Sequence, residues 1–178
     1  MSSHNNKFPS DIWTIGHSTR SLDAFIQVLK SFKIELLADV RSLPGSNRFP
    51  HFNKEALEDS LKKHSIEYIH IPELGGRRSV EKGSLNTAWK SKSFRGYADY
   101  METQEFRKGI EILADFSRNK RTAIMCAEVL WWLCHRSMIS DYLKSLGVAV
   151  HHITDVSKSE EHTYTSPAKI VNGELTYR

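Results

Sequence analysis

The sequence predicts a single α/β domain. It has a mostly parallel five-stranded sheet with helices on both faces, in a Rossmann-like three-layer arrangement. Two observations carry this. Short apolar runs of strand length alternate with longer segments whose apolar residues recur every three or four positions, which is the pattern of successive βαβ units. The chemically distinctive residues follow those apolar runs directly, where open parallel sheets hold their ligands.

Each element has its own justification. Ile12-Trp13-Thr14-Ile15 reads as a buried strand ending at Gly16-His17-Ser18. Ser21 suits the cap of a helix with Leu22, Phe25, Ile26, Leu29 and Phe32 on one face. Ile34 to Val40 is the second strand and runs through Asp39 and Arg41 into a loop, Ser42 to Pro50, punctuated by Pro44 and Gly45. Asn53 is placed to cap a helix through His64, with Leu57 and Leu61 at helical spacing. Tyr68 to Ile71 is the third strand.

Residues 72–95 carry no period. They hold Gly75, Gly76 and the cations Arg77, Arg78, Lys82, Lys90, Lys92 and Arg95, against Glu73 and Glu81. A loop this long is either an ordered lid or binding loop or a disordered segment, and both readings stay open. Tyr97 to Arg118 reads as mostly helical, and Thr122 to Cys126 as the fourth strand. Cys134 to Leu146 is a helix stopped by Gly147, and Val148 to Ile153 is the fifth strand. The tail is polar, with a hairpin expected around Asn172-Gly173. The expected organisation is a flexible N-terminus at 1–10, a catalytic-type domain at 11–155 and a C-terminal extension at 156–178.

A chain of 178 residues suffices for one core. The net charge of +4 permits a nucleotide or nucleic-acid partner without requiring one. Two cysteines in one short window do not form a secreted disulfide framework, so a cytoplasmic location is expected. The polar N-terminus does not read as a signal peptide. No run approaches the ~20 apolar residues of a membrane span. Without a GxGxxG or a P-loop, no dinucleotide or nucleoside triphosphate cofactor is expected.

The densest chemistry lies between Cys126 and Arg136: two thiols, Glu128, Trp131, Trp132, His135 and Arg136. Asp39 and Glu128 are the candidate carboxylates, one as nucleophile or stabiliser and one as acid or base, a division suited to glycosidic and N-glycosidic bonds. The bland alternative is a structural salt bridge. Arg20, Arg41, Arg136, His17 and His135 suit an anion receptor, with Arg136 near a helix N-terminus. Ser18, Ser46, Gly75, Gly76 and Tyr97 are further candidate substrate contacts. Cys126 is either an inert buried cysteine or a nucleophile activated by His17, His135 or an arginine. Trp131 and Trp132 suit base stacking, or one sits in the core and one in a dimer contact. A zinc site from Cys126, Cys134 and His135 is disfavoured, because adjacent residues at a helix start rarely converge on one centre, so no metal is expected.

Taken together, Thr14-Ile15-Gly16-His17-Ser18, Asp39-Val40-Arg41 with Pro44 and Ser46, Leu74-Gly75-Gly76, Tyr97 with Tyr100-Met101, Met125-Cys126-Ala127-Glu128 and Cys134-His135-Arg136 resemble the family catalogued as domain of unknown function 488. The resemblance spans roughly residues 12 to 153. It implies a small cytoplasmic α/β protein and supplies no reaction. From the residues, the leading expectation is an enzyme on an anionic, nucleotide-like or nucleic-acid substrate, cleaving an N-glycosidic bond as a nucleosidase or DNA glycosylase does. The alternatives are a thiol or sulfur-transfer enzyme using Cys126 and a non-catalytic nucleic-acid-binding module.

Overall fold

The computed structural model describes residues 7–178; the first six residues of the expected flexible N-terminus lie outside the described residues. In chain order the elements are β1 (Asp11–Gly16), α1 (Leu22–Ser31), β2 (Leu36–Asp39), α2 (Lys54–Lys62), β3 (Glu67–His70), α3 (Lys92–Met101), α4 (Gln104–Ser117), β4 (Thr122–Cys126), α5 (Arg136–Ser145), β5 (Ala149–Asp155), β6 (Lys158–Glu161), β7 (Lys169–Val171) and β8 (Glu174–Thr176).

The main sheet has the order β3-β2-β4-β1-β5-β6. Its first five strands are parallel and β6 pairs antiparallel with β5. The expected α/β fold is therefore present, with one strand more than the sequence revealed. Lys158–Glu161 is a wholly exposed, charged edge strand with no apolar alternation to betray it. The expected hairpin at Asn172-Gly173 forms between β7 and β8.

Strand parity divides the core into two layers. Trp13, Ile15, Leu37, Ala123 and Met125 pack with Phe25 and Leu29 of α1 and Leu57 and Leu61 of α2. Ile12, Ala38, Ile124 and Val150 face the other way, onto Tyr97 of α3, Phe106, Ile110 and Leu113 of α4, and Met138, Ile139 and Leu143 of α5. Phe8 and Tyr177, near the two ends of the described chain, are buried in this second layer.

Several boundaries differ from expectation for local reasons. The helix expected over 97–118 is two helices, because the Thr103 hydroxyl accepts the Phe106 N–H and starts α4 afresh. Asn53 precedes α2 but does not cap it; its Oδ1 accepts the Ser46 N–H instead, at 2.5 Å. Ser21 caps α1 as expected, accepting from Ala24 N–H. The segment 72–95 is ordered by α3. Asp99 accepts Glu81 N–H at 2.9 Å, Ser84 Oγ at 2.5 Å and Asn86 Nδ2 at 2.8 Å.

The topology locates the site. β1 and β4 are neighbours, yet the chain leaves β1 toward β2 and leaves β4 toward β5, in opposite directions. Such a divergence opens a crevice beyond the C-terminal strand ends.

Candidate functional site

A cavity of about 810 Å³ occupies that crevice. Its floor and walls come from the ends of β1 (His17, Ser18), β2 (Arg41, Ser42) and β4 (Cys126, Ala127, Glu128), the turn before α5 (Leu133, Cys134, His135), the 43–49 loop, and Gly76, Arg77, Phe94 and Tyr97. The only carboxylate among these residues is Glu128, against Arg48 and Arg77, with Arg41 already paired to the buried Asp39, so the cavity favours anions.

Of the residues expected from sequence, His17, Ser18, Arg41, Ser46, Gly76, Tyr97, Cys126, Glu128 and His135 line the cavity. Asp39, Arg20, Gly75, Trp131, Trp132 and Arg136 do not. Asp39 is fully buried beneath the floor. It takes Arg41 Nη2 at 2.7 Å, Arg41 Nε at 2.9 Å and Tyr68 Oη at 2.6 Å. The bland reading of Asp39 as a salt-bridge partner thus matches its position, and it does not pair with Glu128. Arg20 ties the β1 and β5 ends together through the Gly16 and Thr154 carbonyls. Trp131 stacks flat on His152 with centroids 4.2 Å apart and donates to Glu160, while Trp132 is half exposed with its edge on Trp131.

Arg136 is buried to 1 % exposure. Its Nη2 donates to the Glu128 carbonyl at 2.6 Å and its Nη1 to Thr14 Oγ1 at 3.2 Å, while its Nε finds no acceptor. It holds the 127–129 wall in place and presents no free fork to a ligand. Gly16 makes that wall possible, since a Cβ there would lie 1.7 Å from the Glu128 oxygen.

The two thiols meet on the cavity floor. Cys126 Sγ and Cys134 Sγ are 2.7 Å apart, both cysteines buried and unlinked. Cys134 Sγ also accepts the backbone N–H of Arg136 at the start of α5, at 3.5 Å. His135 completes the group. Its Nε2 lies 2.9 Å from the Val40 carbonyl, so Nε2 carries the proton and donates. That leaves Nδ1 as a lone pair, 3.5 Å from Cys134 Sγ. Burial opposes a Cys134 thiolate, yet the Cys126 hydrogen bond and the neighbouring His135 and Arg136 carry its pKa well below the ordinary thiol value. Burial raises that of Cys126 well above it, and the hydrogen bond and charge of Cys134 add to the rise. One proton shared by two sulfurs explains the opposite directions.

His17 is a different kind of group. Its Nδ1 donates to the Ser18 carbonyl at 2.9 Å, its ring stacks on Phe52, and Nε2 faces Arg41 Nη1 at 3.4 Å. Burial pushes its pKa down to about 4, and the Arg41 charge adds to this. It is neutral at physiological pH.

Sequence reasoning weighed Cys134 only as a metal ligand. The signal for more was present in Cys134-His135 placed before a helix start, where free N–H groups stabilise a thiolate. Arg48, Phe49, Phe94 and Leu133 carried no pattern of their own and enter the site only through the loops that hold them. Among the described residues, no three His, Cys, Asp or Glu side chains are grouped to hold a metal ion. Nor is any helix among them long and apolar enough to cross a membrane.

Residues 21–143 match the family model described as Domain of unknown function DUF488. The chain belongs to that family. No curated protein and no solved structure matches it. The stretch matched to DUF488 includes Arg41, Gly76, Tyr97, Cys126, Glu128, Cys134 and His135, but begins after His17 and Ser18.

Proposed function

We propose that the protein is a thiol-dependent enzyme on a small anionic substrate, with Cys134 as nucleophile. The observation that supports this is the setting of Cys134 Sγ, which receives a helix N–H, touches a second thiol and faces the unprotonated Nδ1 of His135. In this reading His135 takes the thiol proton, as bases adjacent to nucleophilic cysteines do. The Val40 carbonyl fixes its tautomer, and Arg48 and Arg77 at the cavity attract the anion. The sulfur bonds to an electrophilic atom of the substrate, and the leaving group departs with the proton from His135. This moves the thiol reading from Cys126, whose raised pKa makes it the weaker nucleophile, to Cys134.

Alkylation by iodoacetamide, mapped by peptide mass spectrometry across pH, tests it. Cys134 should label rapidly at pH 7 and His135→Gln should shift the profile toward ordinary thiol values. Slow labelling of Cys134 in folded protein would overturn the reading.

A second reading keeps N-glycosidic cleavage, now with Glu128 alone. An exposed carboxylate shares the cavity with Phe49, Phe94 and Tyr97, side chains suited to a nucleobase, and Leu43 and Leu133 stand 70 % and 58 % exposed at the same cavity, suited to wedging against a strand. Incubation with nucleotides and with single-stranded and duplex DNA carrying modified bases distinguishes the two. Base release that is lost in Glu128→Gln and kept in Cys134→Ser supports glycosidic chemistry over thiol chemistry.

A further inference from the structure

Cys126 has no part in the step just described, yet its sulfur touches the nucleophile. The Cys126 sulfur lies 3.8 Å from the Glu128 carbonyl and against the Cys134 sulfur. Both cysteines line the same cavity, so a group attached to Cys134 remains within reach of Cys126.

A thiol at that distance changes what a Cys134 adduct can become. A carbon-linked adduct would be inert to Cys126. A sulfur-linked adduct would not survive, because Cys126 can attack the Cys134 sulfur and expel the attached sulfur. Two thiols in contact therefore suit a substrate that is itself a disulfide. The cavity adds the charge requirement: Arg48 and Arg77 stand against Glu128, which favours a disulfide bearing carboxylates over one bearing amines. Phe49 and Phe94 on the same walls accept apolar or planar parts of it.

We propose that Cys134 and Cys126 form a dithiol couple that reduces small anionic disulfides, Cys126 acting as the resolving thiol. The proposal rests on Cys134 being the nucleophile. Cys134 gives its proton to His135 and its thiolate attacks one substrate sulfur; the substrate S–S bond breaks, and the first thiolate leaves with that proton from His135, which is free again. Cys126 then gives up its proton to His135 and attacks Cys134 Sγ. The mixed disulfide breaks and the second thiolate leaves, protonated from His135. The substrate gains two electrons and two protons, and the protein ends with a Cys126–Cys134 disulfide. Further turnover needs an external dithiol to reduce that bond.

The test is single turnover of reduced protein with 5,5′-dithiobis(2-nitrobenzoic acid), an aromatic dicarboxylate disulfide, followed by intact-mass measurement. Wild type should release two thionitrobenzoates per chain and finish lighter by two hydrogens with no adduct. Cys126→Ser should release one and keep the other as a mixed disulfide on Cys134. Cystamine, a cationic disulfide, should react at least roughly tenfold more slowly than a dicarboxylate disulfide of similar leaving-group acidity at low salt, and the gap should shrink as salt rises. If wild type stops at a stable Cys134 adduct, resolution by Cys126 is wrong while the Cys134 nucleophile stands. If Cys134→Ser reacts as fast as wild type, both readings fail together.

Discussion

His162 donates from Nε2 to Asp141 Oδ1 at 2.8 Å, and both side chains are completely buried. This pair ends a chain of hydrogen bonds that all point one way. Arg136 Nη1 donates to Thr14 Oγ1, whose hydroxyl donates to His152 Nδ1 at 2.7 Å; His152 Nε2 donates to His162 Nδ1 at 2.8 Å. Buried Arg136, behind the cavity wall, is thereby linked to the buried Asp141 carboxylate on α5 through the imidazoles of His152 and His162. The C-terminal extension, which supplies His162, is part of the apparatus that fixes the start of α5.

Asp141 should accordingly be among the costliest positions to truncate. Besides His162 it accepts Thr165 N–H, Thr165 Oγ1 and Tyr177 Oη. Asp141→Ala strands these donors and breaks the link to Arg136, so a loss of about 3–5 kcal/mol is expected, each buried donor left unsatisfied costing ~1–3 kcal/mol. Urea unfolding measures it. Limited proteolysis should also find the segment after Glu161 newly cleavable in this variant. A loss below ~1 kcal/mol would show that the chain of bonds contributes little.

Acid should destabilise the protein before its carboxylates titrate. Burial drives the His152 pKa down to about 2, helped by the nearby Arg136 charge, and burial drives that of His17 to about 4. An unfolded histidine titrates near 6.5, so below that pH the unfolded chain binds protons that these two folded side chains refuse. Their stabilisation is complete above the unfolded pKa and falls as pH drops, by up to about 1.4 kcal/mol per pH unit for each proton. Between pH 6.5 and 5 the unfolding free energy should fall with a slope approaching two protons. His152→Gln should reduce that slope by about one. A pH-independent unfolding free energy over this interval would contradict both assignments.

The fold was legible because apolar strand cores and amphipathic helices write their periods into sequence, and strand-end placement alone brought His17, Arg41, Cys126 and Glu128 to one edge. What stayed hidden depended on three-dimensional pairing. Nothing in the order of residues shows that Asp39 turns down onto Arg41 and Tyr68 while Glu128 stands in the open cavity. Nothing local shows that Asp99 would tie down a segment without periodicity, or that Lys158–Glu161 would add an edge strand through backbone bonds alone. The role of Cys134 rests on contacts with Cys126 and with the Arg136 N–H, which exist only once α5 is docked.

Asp39 and Glu128 should separate cleanly under substitution. Asp39→Ala leaves the Arg41 guanidinium buried without its counter-ion, so about 3–5 kcal/mol should be lost. Glu128 is exposed, and Glu128→Gln should change stability by no more than about 0.5 kcal/mol. Thermal and urea denaturation of the two variants side by side measure the difference. Equal stability of both would mean that Asp39 is not the structural anchor its contacts describe.

The adjacent glycines 75 and 76 should fail in different ways. A Cβ on Gly75 would stand 2.9 Å from the Ser42 Cα and 3.0 Å from the Pro72 oxygen, atoms of backbone that cannot swing aside. Gly75→Ala should therefore cost about 1–3 kcal/mol by overpacking. A Cβ on Gly76 would meet the His135 ring first, 3.0 Å from Nδ1. The ring can yield by a few tenths of an ångström, at the expense of its bond to the Val40 carbonyl or its approach to Cys134. Gly76→Ala should leave stability nearly unchanged and slow Cys134 alkylation at neutral pH, while denatured protein labels as wild type does. If Gly76→Ala labels at the wild-type rate, the position of His135 Nδ1 does not govern the thiol, and the base assigned to Cys134 must be sought elsewhere in the cavity.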